Sequence, residues 1–158
     1  RFLYKNSKPH PLIDGIPYRA NYLTHIDTIV FELSQKLNID IKELNGSLES
    51  LTLLEQKIKG LKLDQFQMES QYLIYIMTYC GEVIKNKVGG NWVLNVLSIE
   101  GKDVYEPVIR VRDDRDYSPL WPIVQEISDR PTSFSFKNAI EGEMEKYKLI
   151  DMMLKKNK

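Results

Sequence analysis

Two runs of alternating residues, Asn91–Ile99 and Val104–Arg112, flank the tetrad Glu100-Gly101-Lys102-Asp103. Side chains on a strand alternate between faces, so the pairing register decides which of them meet. Placing Gly101 at the first central position of a two-residue turn pairs Glu100 with Asp103. Trp92 then meets Val111, Leu94 meets Ile109 and Val96 meets Pro107, which makes one face of the hairpin uniformly apolar. The other face sets Asn91, Val93 and Asn95 against Arg112, Arg110 and Val108. A slip of one residue destroys this match. Pro107 has no backbone donor, so its strand is expected at an edge or at a bulge.

The rest of the chain must cover that apolar face, and most of its periodicity is helical. Between Asn21 and Asn38, Tyr22, Ile26, Ile29, Val30, Leu33 and Leu37 form one stripe, with Asn21 or Thr24 as candidate caps. Asn45-Gly46-Ser47 is a turn whose serine caps a second helix carrying Leu48, Leu51, Leu54 and Ile58 and ending at Gly60. The same tripeptide has the form of a glycosylation sequon, but the capping role is favoured. Leu63–Val88 reads as one long central helix, with Phe66, Leu73, Ile76, Cys80 and Val83 on one side. Ser118-Pro119 starts a short helix, about 119–128. Thr132–Phe136 alternates and suggests a third strand, and Lys137–Lys155 reads as a last helix lying on the body. Residues 1–20, with Pro9, Pro11, Gly15 and Pro17, form an irregular arm. The expected fold is α+β: that arm, then a single domain over 21–158. In it, four or five helices pack around a small antiparallel sheet centred on the hairpin at about 91–99 and 104–112.

The segment joining helix to hairpin, Tyr79–Trp92, invites three readings. A phosphate loop needs its glycines before a helix, where free N–H groups face the anion; Gly89-Gly90 follows one, so that reading fails. As structure, Gly89 closes the helix in a left-handed conformation and Gly90 lets the chain reverse. Gly81, mid-helix, costs about 1 kcal/mol relative to alanine, which calls for close approach by another helix or the hairpin. Trp92 would then fill the corner. As chemistry, Tyr75, Tyr79 and Glu82 share a helical face, and a carboxylate beside phenols suits a hydrogen-bonded ligand contact or a proton-holding acid. Glu82 equally suits a structural pair with Arg110 or Arg112.

The pattern of Tyr79, Gly81, Glu82, Val83 and Ile84, followed by Gly89, Gly90 and Trp92, resembles that of a loose group of uncharacterised bacterial proteins. The helix at Gly46–Ile58 and Pro119 look similar too. The resemblance implies no particular activity. Some small proteins of this kind look like immunity or accessory proteins near toxin genes, which implies a protein-binding role.

Charge and chemistry narrow the remaining classes. Lys+Arg and Asp+Glu number 22 each, so the chain lacks the cationic surplus that nucleic-acid binding requires. No apolar run approaches the length of a membrane span, and no signal-peptide pattern is visible. The single cysteine, Cys80, excludes an intrachain disulfide and fits a buried thiol in a reducing, cytoplasmic setting. His10 and His25 are too few and too isolated for a zinc site, and a Cys80–His25 dyad is the weaker reading of a core thiol and a surface-edge histidine. Neither cofactor nor metal is expected. Asp113, Asp114 and Asp116 are interrupted by Arg115, which favours a solvated loop over a cation site. With no catalytic constellation, the expected function is non-catalytic protein interaction. Its candidate surface runs from Arg110 and Arg112 through Asp113, Asp114 and Asp116 to Tyr117 and Trp121. The alternatives are a small-molecule site or enzyme with a pocket at Tyr75, Tyr79 and Glu82, and a structural subunit of a larger assembly, which a large exposed apolar patch would mark.

Overall fold

The computed structural model describes residues 9–112 and 115–156, and the fold is α+β. Its centre is α4 (Leu73–Val88), which buries Leu73 and Ile76–Gly81, then Val83 and Ile84. A helix that is apolar on most sides must be covered on most sides. α1 (Ile26–Lys36) and α6 (Phe136–Glu145) pack on α4, as does the sheet. α2 (Ser50–Gly60) and α5 (Trp121–Asp129) pack on α6. The expected stripes hold: Tyr22, Ile26, Ile29 and Leu33 are buried, as are Leu51, Leu54 and Ile58. Ser47 Oγ accepts from Ser50 N–H, and Ser118 Oγ accepts from the N–H groups of Leu120 and Trp121. The described part of the arm is irregular, yet Leu12 and Ile16 enter the common core.

The sheet has three antiparallel strands in the order β1 (Asn91–Ile99), β2 (Lys102–Arg112), β3 (Arg115–Tyr117). Its register differs from the expected one by two residues: Trp92 lies opposite Ile109, Leu94 opposite Pro107 and Ile99 opposite Lys102. A two-residue shift returns every side chain to its own face, so the apolar face survives. The cause is the turn. Glu100 (φ 53°) and Gly101 (φ 78°) are both left-handed, which makes them the central pair of a type I′ turn and puts Gly101 second, not first. Around Pro107, β2 has β1 on one side only, because β3 pairs no further than Ile109. A register shift between Arg110 and Arg112 interrupts the β3 pairing.

Three further expectations are corrected. The long helix is not uniform: a capped α3 (Gln65–Gln67) enters a π-helical turn, Met68–Tyr72, before α4. The wide turn takes up an extra residue, so a seven-residue spacing no longer brings Phe66 and Leu73 to one face. Phe66 is 77% exposed while Leu73 is buried. Thr132–Phe136 is not a strand. Its Ser135 caps α6, accepting from Asn138 N–H, and the true third strand is Arg115–Tyr117. Finally, the last helix breaks at Lys146–Tyr147, and α7 (Lys148–Lys156) has no buried residue. It does not lie on the body along its length.

Candidate functional site

The Tyr79–Trp92 segment is a tie between α4 and β1. Any side chain at Gly81 would meet the Trp92 ring, so the glycine is the seat of the indole. One residue on, Glu82 accepts the Trp92 indole N–H at 2.8 Å, and Lys85 Nζ lies 3.3 Å from the same oxygen. The Tyr22 ring meets the indole edge-on at 6.2 Å. Gly89 takes the left-handed helix-closing position (φ 74°). Gly90 lies against β2, where a Cβ would stand 2.7 Å from Ile109 and 2.9 Å from the Arg110 carbonyl oxygen. Glu82 therefore serves the fold through Trp92, not through Arg110 or Arg112.

The pocket candidates separate. Tyr79 and Glu82 line an open concavity of about 470 Å³ together with Asp27, Asn45 and Asn86. Tyr79 is almost fully buried, and its hydroxyl is consumed: it accepts from Gly46 N–H and bonds Ser50 Oγ. Burial raises its pKa above the ordinary phenol value. Tyr75 points elsewhere, donating to Glu32 at 3.2 Å with Lys36 over its ring. Burial, then the negative charge of Glu32, raises its pKa too. Cys80 is fully buried, and burial pushes its thiol pKa well up, which suits an inert core thiol.

The interaction candidates come together at the far end of the sheet. Arg110 donates twice to Asp116, at 2.7 and 2.8 Å, and these bonds hold the Asp116 carboxyl below its usual range. Tyr117 is buried beneath Tyr147, ring edge to ring face. Arg112 is exposed. Trp121 is half-buried against the core, with His10 edge-on at 5.1 Å. Asp113 and Asp114 lie outside the described residues. The Asn91–Asn95 side of the hairpin is less open than its sequence suggests, because Val104 and Val108 are buried on it. Glu106, between them, takes a hydrogen bond from His10.

Two features escaped the sequence. His10 Nδ1 accepts from Leu12 N–H at 3.0 Å, so the ring proton on Nε2 goes to Glu106 at 2.9 Å. The partners are 96 residues apart, and no local pattern links them. The second is α7. Arg115 forms a double contact with Asp151, while Tyr147 Oη bonds both the N–H and the carbonyl of Asp116. These bonds fix α7 beside β3 and leave its apolar residues outward: Leu149, Ile150, Met152, Met153 and Leu154 are all exposed. The helical spacing of apolar residues in KLIDMMLKK carries the signal, but it reads equally as a core-facing stripe.

Among the described residues no helix is long and apolar enough to cross a membrane, and no group of three or more His, Cys, Asp or Glu could hold a metal ion. The fold and site define an α+β chain with an outward-facing amphipathic helix. No family model, curated protein or solved structure matches it.

Proposed function

We propose that the chain is a non-catalytic protein-binding module of the cytoplasm, of the immunity or accessory type, and that α7 is the helix it lays into a partner's groove. The observation carrying this reading is five large apolar side chains, 48–66% exposed, within a nine-residue helix that buries nothing. Single exposed apolar residues are ordinary, whereas a contiguous set marks an interaction surface. Helix-in-groove binding uses anchors at i, i+3 and i+4, here Ile150, Met153 and Leu154. Methionines adapt to irregular pockets. Lys148, Lys155 and Lys156 border the stripe, so an apolar groove with an acidic rim is the complementary surface. The Arg115–Asp151 and Tyr147–Asp116 contacts present the helix in a fixed pose, which lowers the ordering cost of binding. Arg110, Arg112, Asp116 and Tyr117 then support the helix from the sheet side.

Capture from cells of the source organism tests the reading, with wild type and Ile150→Glu/Met153→Glu compared. Wild type is expected to retain one partner in stoichiometric amount and the variant to lose it. The variant's own stability should stay within about 0.5 kcal/mol, since neither position is buried. The same proteins held by both forms would refute the assignment.

The concavity beside Glu82 favours a second reading, a small-molecule contact through Glu82, Asn45 and Asn86. It predicts a ligand-dependent rise in Tm that Asn86→Ala abolishes.

A further inference from the structure

A second concavity, of about 510 Å³, lies where the N-terminal segment, the π-helical turn and α5 meet. Its lining has an uneven chemistry. Ile13, Leu73, Val124 and Phe66 supply apolar surface, Asp14 and Glu69 supply carboxylates, and no lysine or arginine is among the described lining residues. His10 also lines it, but both ring nitrogens are engaged, by Leu12 N–H and by Glu106. We infer that this concavity binds a small organic cation with an apolar body, an alkyl- or arylammonium, whose charge meets Asp14 and Glu69 and whose body lies against Phe66 and Ile13.

Four observations carry the assignment. The volume is that of a small-molecule site. The two carboxylates on the described lining, Asp14 and Glu69, attract a cation and repel an anion. Phe66 is more exposed than any other large apolar side chain described, and a phenyl face attracts an ammonium group. The π-helical turn, a feature frequent at functional sites, places Glu69 and Ser70 on the lining. Its extra residue also takes Phe66 off the buried face of α4. Gln65 Nε2 donates to Glu69 at 3.1 Å, and Ser70 Oγ donates to the Phe66 carbonyl at 2.7 Å, so the turn's polar groups are held in place. A bare metal ion fits less well, since no group of three or more acidic, histidine or cysteine ligands is found among the described residues. The site is separate from α7 and stands whether or not α7 binds a partner.

The test is an amide NMR titration of the full chain with benzyltrimethylammonium, with benzyl alcohol and benzoate as the neutral and anionic counterparts. The cation is expected to give saturable shifts at Ile13, Phe66, Glu69 and Val124. Asp14→Asn/Glu69→Gln should weaken it about tenfold, the combined effect of two exposed charge contacts. Both positions are exposed, so the variant keeps its fold, which the unshifted remainder of the spectrum verifies. Phe66→Ala should weaken the cation as well. Equal binding of benzyl alcohol, undiminished affinity in the double variant, or shifts centred on the Glu82 concavity would each overturn the inference.

Discussion

Gly81→Ala is the substitution on which two physical arguments predict opposite signs. Gly81 is inside α4, where glycine is about 1 kcal/mol worse than alanine, so helix propensity alone predicts that the variant is stabilised. Packing predicts the reverse. A Cβ at residue 81 would overlap Cη2 and Cζ2 of Trp92 and stand 3.0 Å from Cζ3. The indole has little room to yield, being tied at Nε1 to Glu82 and held edge-on by Tyr22. Either the ring leaves its seat or the helix and hairpin separate. Overpacking costs about 1–3 kcal/mol. Losing the indole–carboxylate bond costs about 1.5–3 kcal/mol, because one partner is charged. Against about 1 kcal/mol of propensity, the net expectation is a loss of about 1.5–5 kcal/mol.

Urea unfolding of wild type and variant measures this, and a second background isolates the cause. With Trp92→Ala the obstacle is gone, so Gly81→Ala should there stabilise by about 1 kcal/mol. A reversal of sign between the two backgrounds is the signature of the seat. A neutral or stabilising effect in wild type would refute the packing argument. So would an equal loss in both backgrounds.

The turn, the acid limb and the buried thiol give three further expectations. Glu100→Asn should raise stability by about 1 kcal/mol, because Glu100 occupies a left-handed position that asparagine tolerates and a type I′ turn prefers; no gain in urea unfolding would dispute the register. Hydrogen bonding to Arg110 depresses the Asp116 carboxyl in the folded state. Its contribution is therefore present above the unfolded carboxylate value and lost as pH falls through the folded one. Arg110→Gln should be less stable than wild type at neutral pH, and the gap should close as acid protonates Asp116 below the ordinary carboxylate range. A gap that persists in acid would assign the effect to packing. Cys80 should react with a thiol reagent only as fast as the core opens, since it is fully buried. Rapid modification under native conditions would contradict its placement.

The sequence made the hairpin legible because alternation is a two-residue signal, and its faces were correctly assigned. The register was not, since the choice between turns at 100–101 and 101–102 rests on Glu100 adopting a left-handed backbone, which glutamate does not advertise. Gly81 was legible for the opposite reason: a glycine that weakens a central helix implies a close neighbour, and Trp92 is that neighbour. Phe66 misled because a π-helical insertion changes the phase of a stripe without changing its composition. Thr132–Phe136 misled because five alternating residues are too few to separate a strand from a capped helix start. Of the proposed pocket, Tyr79 and Glu82 do share a concavity, while Tyr75, a turn earlier, is drawn to Glu32 and Lys36 of α1.

α7 shows a deeper limit. An amphipathic pattern records that one face of a helix is to be covered; it carries no information about what covers it. In α1 the stripe of Ile26, Ile29 and Leu33 meets the chain's own α4, and in α7 an equivalent stripe stays exposed among the described residues. What distinguishes the two is the break at Lys146–Tyr147 and the bonds that follow it. Tyr147 and Asp151 attach the polar side of α7 to β3 through Asp116 and Arg115. Anchoring a helix by its polar side turns its apolar side away from the body that anchors it. The same arginine and aspartate that read in sequence as a solvated loop beside the hairpin are thus the fixture that keeps α7 outward.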